Sequence, residues 1–214
     1  MATAKEGLPI TPAVVRWARE RSGYSIEDAE SHFKKIAAWE AGEALPTYVQ
    51  VEDMAERFKV PVAVFFFPKP PEVPSLEKSF RTLTAEDFAA IPRRVRHFLR
   101  LGQAMQLNLA ELNDGKNPSP RLITRDIQVT PNTSLDKIAA DVRAYLGVSV
   151  DMQAGWKNID EALDKWREVF ATKAGIYVFK DAFQAPNYFG FCLHDDEFPV
   201  IYINNSSAKS RQIF

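Results

Sequence analysis

Gly175-Ile176-Tyr177-Val178-Phe179 is the stretch that decides the fold, because here the chain changes its period. Upstream, apolar residues recur at helical spacing. From Gly175 on they come in short β-branched and aromatic runs separated by turn residues. Tyr188-Phe189-Gly190-Phe191-Cys192-Leu193 and Pro199-Val200-Ile201-Tyr202-Ile203 repeat the pattern, and Asp195-Asp196 between them marks a hairpin connection. The prediction is helices first, then a small mixed or antiparallel sheet of three strands, an α+β chain. After Ile203, Asn204-Asn205-Ser206-Ser207 supply N-cap residues. Ala208 to Phe214 then reads as the opening of a helix whose first apolar pair is Ile213-Phe214.

Working back from the strands, Ser134 to Leu146 and Asn158 to Thr172 read as amphipathic helices, through Leu135, Ile138, Ala139, Val142 and Leu146, and through Ile159, Leu163, Trp166 and Phe170. Thr84-Ala85-Glu86-Asp87 caps a further helix that carries Phe88, Ile91, Val95, Phe98, Leu99, Met105 and Leu109. Asn113 to Pro118 is a loop. Pro68-Lys69-Pro70-Pro71-Glu72-Val73-Pro74 cannot continue a helix and reads as a stiff linker. The expected organisation is a helical domain over 1–68, a Pro-rich linker over 69–80, and the α+β region over 81–214.

The helical domain has its own punctuation. Thr11-Pro12 is a cap with Pro at the first helical position, followed by Val14, Val15, Ala18 and Trp17, and Gly23 ends that helix. Ser25 with Glu27 and Asp28 opens a second, a third runs towards Trp39 and stops at Gly42, and Pro46-Thr47 opens a fourth with Val49, Val51, Met54, Ala55 and Phe58.

Composition excludes several classes. The chain has 214 residues, 46% hydrophobic and 26% charged, with a formal net charge of −1. It therefore lacks the polybasic balance of a general nucleic-acid or membrane-surface binder. The single cysteine, Cys192, permits no internal disulfide and suits a reducing cytoplasm; on a strand beside Phe191 and Leu193 it reads as a packing residue. Neither a secretory leader nor a membrane-length apolar run is present, so a cytoplasmic chain with no membrane partner is expected.

The sharpest local motif is Trp39-Glu40-Ala41-Gly42-Glu43-Ala44-Leu45-Pro46, followed by Ala55-Glu56-Arg57-Phe58-Lys59-Val60-Pro61. It resembles the close of an Xre-type (lambda-repressor-like) helix-turn-helix domain. The interval from Ser25 to Trp39 is about four residues, one helical turn, shorter than that family uses. The residues that would then face DNA are Ser31, His32, Lys34 and Lys35, the two lysines better suited to phosphate than to bases. Glu27, Asp28 and Glu30 close by would repel the backbone, so binding of a protein, or simple packing, stands beside DNA. A second basic stretch puts Arg93, Arg96, His97 and Arg100 on one helical side, either as a solvated face, a phosphate contact or an ion-pair seam against an acidic surface.

The strand runs, taken in order with Asn204 and Arg211-Gln212-Ile213-Phe214, resemble the ImmA/IrrE family of zinc metallo-endopeptidases, of which an Xre-like domain ahead of the peptidase region is a common form. The resemblance implies a three-stranded, zincin-like sheet, and a helix following the residues that match Arg211 to Phe214. That helix would carry H-E-x-x-H, whose histidines ligate zinc while the glutamate activates water. It also implies a regulatory role through cleavage of a repressor or antitoxin-type protein, held in extended form along a sheet edge.

The H-E-x-x-H motif does not occur in these 214 residues. His32, His97 and His194 lie on three separate elements without ligand spacing, and His194-Asp195-Asp196-Glu197 reads as a solvated turn. No catalytic or metal-binding residue is assigned. The chain is expected to act by binding DNA or protein without hydrolysing peptides. Its alternative is the front part of an active zinc endopeptidase. A sheet without that helix is expected to expose apolar surface on one face.

Overall fold

The computed structural model describes residues 7–73 and 84–206, which form two compact units. The expected tail helix and the matching residues Arg211 to Phe214 lie outside the described residues, as does the linker from Pro74 onward.

The first unit comprises described residues 7–73 and 84–97. It contains α1 (Pro12–Arg21), α2 (Ile26–Glu30), α3 (Ile36–Ala41) and α4 (Tyr48–Phe58). Their ends follow local chemistry. Ser25 Oγ accepts from Asp28 N, Gly42 closes α3 at φ 75°, and Thr47 exchanges bonds with Gln50 in a capping box. Val15, Ala18, Phe33, Ile36, Trp39, Val51, Met54 and Phe58 share one core. Phe33 lies edge-on to Phe58 at 5.8 Å between ring centroids and Tyr24 does so at 5.5 Å. Val49, expected on the buried stripe of α4, is 52% exposed instead. It sits in the first turn, a quarter-turn or more away from the row Val51, Met54, Ala55 and Phe58 that meets the core. A short 3-10 helix, Val62–Phe66, follows; Phe65 is buried and its carbonyl accepts from Thr11 N at 2.9 Å.

The helix expected from Thr84 through Leu109 is two helices, α5 (Ala85–Ala89) and α6 (Arg93–Leu112). Pro92 is the cause: it brings no N–H and drives Ile91 out of helical backbone geometry. Arg96 repairs the break, donating from Nε to Ile91 O at 3.0 Å and from Nη2 to Phe88 O at 2.9 Å.

The second unit comprises described residues 98–206. It holds the rest of α6, then α7 (Ile123–Asp126), α8 (Leu135–Leu146), α9 (Val150–Ala154) and α10 (Ile159–Val169), the last running into a π-turn at Phe170–Ala174. Leu135, read as core-facing, is the first residue of α8 and is exposed, as is Ile159 at the same position of α10. Three strands follow: β1 (Tyr177–Asp181), β2 (Gly190–Leu193) and β3 (Val200–Asn204). The chain is α+β and the sheet is mixed, in the order β1-β3-β2, with β1 parallel and β2 antiparallel to β3. The β2–β3 turn is fixed by Asp195, whose Oδ1 accepts from the backbone N–H of Glu197 and Phe198.

One face of the sheet carries Leu193, Val200 and Tyr202, all buried, and packs on α6 at Gly102. A Cβ there would fall 2.8 Å from Leu193 Cδ1, so a larger residue would force that side chain to shift. Phe98, Phe183, Phe191 and Tyr202 stack through this interior, Phe98 and Phe183 at 4.7 Å between centroids. The register puts Val178, Ile201 and Cys192 together on the other face. There Val178 is buried, Ile201 half-buried and Cys192 exposed, so Cys192 is not the packing residue expected of it.

Candidate functional site

The residues expected to meet DNA lie on the connection between α2 and α3. Ser31 caps the end of α2 and its Oγ donates to Asp28 O at 2.6 Å, so its hydroxyl is occupied with the helix end. His32 Nε2 accepts from Arg57 Nη1 at 3.3 Å, beside a groove of about 530 Å³ lined by Tyr24, His32, Asp53, Glu56, Arg57 and Lys59. Lys34 and Lys35 are exposed, and Lys35 is the residue that precedes α3.

α3 itself has six residues, Ile-Ala-Ala-Trp-Glu-Ala. Ile36 and Trp39 are in the core, and the side chains left outward are those of Ala37, Ala38 and Ala41. Its one charged residue, Glu40, is turned inward. Arg19 donates to it from Nε at 2.6 Å and from Nη2 at 3.1 Å, both side chains being less than a tenth exposed. Hydrogen bonding to Glu40 outweighs burial and holds the Arg19 guanidinium above its ordinary pKa. A helix so short, showing only methyl groups, has nothing with which to form the paired hydrogen bonds that distinguish base pairs in the major groove.

The second basic group is committed to structure in part. Arg93 is exposed, but its Nη2 donates to Asp28 Oδ2 at 3.1 Å and its guanidinium lies 4.3 Å from the Tyr24 ring centroid. Arg96 is spent on the carbonyls of Phe88 and Ile91 and lies over the Phe88 ring. His97 and Arg100 are half-buried. Arg93 thus acts as an ion-pair contact against an acidic side chain of α2.

In the second unit the polar side chains converge on backbone. Asn117 Nδ2 donates to Gly175 O and Glu197 O, and its Oδ1 accepts from Ser119 N. Arg125 donates to Glu197 Oε1 at 2.6 Å and to Asp196 O. That pair, with the Asn117 N–H second, holds the Glu197 carboxyl below its usual range. Asp126 is lowered too, first by the Tyr145 hydroxyl at 2.8 Å and then by Arg121, while desolvation first and Asp126 second push the Tyr145 phenol up to about 12. These residues border a cleft of about 390 Å³ with Lys116 and Arg121 on its rim. Three cations, Lys116, Arg121 and Arg125, stand there against two carboxylates, and the two arginines are paired with these, Arg121 with Asp126 at 2.9 Å and Arg125 with Glu197 at 2.6 Å.

The described residues do not fit a zinc centre. Nowhere among them do three or more His, Cys, Asp or Glu side chains come together as metal ligands would. Among the described residues no helix is long and apolar enough to cross a membrane.

Two features of weight were not singled out from the sequence, the Arg19–Glu40 pair and the Asn117 carboxamide, and a third, Asn204, was read as an N-cap residue and not as a buried junction. Glu40 does fall within the Trp39-Glu40 motif, but its partner lies 21 positions earlier. Asn204, fully buried, accepts at Oδ1 from Phe183 N and Ser206 N and donates from Nδ2 to the carbonyls of Ala185 and Tyr188. Comparison with models of protein families, with curated proteins and with solved structures found no match for this chain.

Proposed function

We propose that this chain is a regulatory protein of the ImmA/IrrE type whose described part acts by binding another protein, a repressor or antitoxin-type partner being the one the resemblance implies. Any DNA contact made by its Xre-like unit is confined to phosphate, through Lys34 and Lys35. The observation that carries this reading is the composition of α3. Its outward residues are alanines, and its only charge is buried against Arg19. Phosphate contacts alone give weak, salt-sensitive and sequence-independent binding.

A gel shift over a range of salt, on random and selected duplexes, tests it. The expected result is weak binding that salt abolishes, that ignores sequence, and that Lys34→Glu with Lys35→Glu removes. Tight binding to one duplex, unchanged by those substitutions, would overturn the proposal.

A second reading, the front part of a zinc endopeptidase, is favoured by the position of β2. It is a short edge strand, paired on one side with β3, and such an edge can receive an extended peptide. Sequencing the reading frame beyond Phe214 separates the two: an H-E-x-x-H motif there, with zinc retained by the longer product, supports the enzyme.

A further inference from the structure

Leu45, Tyr48 and Val49 are 54%, 54% and 52% exposed. They follow one another along the α3–α4 connection and the first turn of α4, and the backbone beneath them is firmly held. Gly42 is in the left-handed conformation, Leu8 N donates to Pro46 O at 2.7 Å, and Thr47 N donates to Gln50 Oε1 at 2.9 Å within the capping box. Three large apolar side chains are thus presented outward by a rigid turn, with little ordering left to cost on binding.

Their surroundings are acidic. On α4 the i, i+4 rows run Tyr48–Glu52–Glu56 and Val49–Asp53–Arg57; Glu52, Asp53 and Glu56 are all exposed, as is Glu43 before Leu45, and the exposed cation Arg57 lies two turns from Val49. The Tyr48 hydroxyl is hydrogen-bonded to Glu52, which raises its pKa. From Glu43 through Glu56 there is no Lys, Arg or His. We propose that Leu45, Tyr48 and Val49, edged by Glu43, Glu52 and Asp53, form a docking surface for a protein segment that carries apolar side chains flanked by Lys or Arg.

Charge selects this occupant. DNA would bring phosphates against four carboxylates. A second copy meeting the same face across a two-fold axis would set those carboxylates against their own images. A basic, apolar segment satisfies both the exposed side chains and the rim, the rim steering encounter and the centre supplying affinity. The inference rests on the protein-binding reading above and names its surface and partner chemistry.

The test is selection from a random peptide display library on the full chain. Enriched peptides are then synthesised and titrated by fluorescence anisotropy against the wild type, Val49→Lys and the pair Glu52→Lys, Asp53→Lys. Circular dichroism checks that the variants, all at exposed positions, remain folded. The expected peptides combine Leu, Ile, Phe or Trp with Lys or Arg. Val49→Lys weakens them about tenfold or more, and the charge-reversed pair weakens them and removes their salt dependence. Peptides without basic bias, peptides indifferent to both variants, or no enrichment would each overturn the docking surface while leaving the protein-binding reading to the gel shift. Sedimentation showing a dimer that Val49→Lys dissolves would assign the face to a second copy, and a gel shift lost in Val49→Lys would assign it to DNA. Either result overturns the proposal.

Discussion

The helical unit closes around a buried ion pair, whereas the α/β unit closes around two buried carboxamides, and the two solutions fail differently. Arg19 and Glu40 carry full charges with side chains 9% and 6% exposed. Each is tolerable there chiefly because the other is present, since an ion stripped of water needs its partner to offset desolvation. The more exposed Arg16 and Glu20 add a second, longer contact to Glu40 at 3.5 Å and to Arg19 at 3.3 Å. Asn117 and Asn204 are neutral and serve as hydrogen-bond junctions for backbone that no ladder or helix satisfies. Removing one of them leaves several modest debts of the same kind instead of one large one.

The largest expected effect therefore comes from splitting the ion pair. Glu40→Ala leaves the Arg19 guanidinium buried with Tyr24 O as its remaining close acceptor besides the exposed Glu20 carboxylate. A loss of about 3–5 kcal/mol is expected, confined to the helical unit and read by chemical denaturation with Trp39 as reporter. The double change Arg19→Met, Glu40→Leu should recover most of it. A double variant as unstable as the single one would show that the pair does more than cancel its own burial.

Asn204→Ala comes next. It orphans Phe183 N–H and the Tyr188 carbonyl and leaves Ala185 O with only its bond from Tyr188 N, at a cost of about 3 kcal/mol to the α/β unit. Hydrogen exchange should show Phe183 losing protection first. If Glu40→Ala and Asn204→Ala lowered both units together, the contrast between them would be broken.

Arg93→Ala should cost about 1 kcal/mol or less. It removes a half-exposed ion pair to Asp28 and a cation–π contact with Tyr24, both screened by solvent. Faster exchange at α2 and at Tyr24, with no change in the α/β unit, is the measurement. Unchanged exchange would mean that α2 is held by its core contacts alone.

How far such features can be read without coordinates depends on how local they are. Caps at Ser25, Thr47 and Ser134, the start of α1 at Pro12 and the stop at Gly42 are visible because each acts within a turn of itself, whereas Thr11, read as a cap, donates its hydroxyl to Phe67 O at 2.6 Å and caps nothing with its side chain. The three strands and the Asp195 turn are visible for the same reason. Strand order is not, since β1 joins β3 across 18 intervening residues and nothing in either run specifies parallel pairing. Pro92 did carry the signal that divides α5 from α6, but the surrounding apolar spacing hides it. Val49, Leu135 and Ile159 mislead because apolar residues in a first helical turn fit the periodic pattern without facing the core. Among the candidate site residues, Lys34 and Lys35 stay exposed while Ser31, His32, Arg93 and Arg96 are drawn into structural contacts, which only the folded chain reveals.

The smallest effect concerns pH and is followed in the α/β unit, although hydrogen bonds also hold the Glu27 and Asp87 carboxyls of the helical unit below their ordinary values. Asp126 and Glu197 have carboxyl groups held below their ordinary values by hydrogen bonds that need the ionised form. Such a group favours the folded chain above its ordinary pKa and loses that contribution as pH falls through the lowered one. Tyr145 has the opposite sign. Its phenol, raised to about 12, favours the folded chain below an ordinary tyrosine pKa of about 10, and that contribution is lost as pH rises through about 12. Denaturation midpoints across pH should therefore decline at both ends. Asp126→Asn should shrink the acid-side decline, with Glu197 and its Arg125 partner keeping the remainder. The alkaline decline should largely persist, because burial, ahead of Asp126, is what holds the Tyr145 proton. An acid limb unaltered by Asp126→Asn would leave it to the other lowered carboxyls, Glu197, Asp87 and Glu27, and an alkaline limb abolished by it would put the carboxylate, not burial, in control of the phenol.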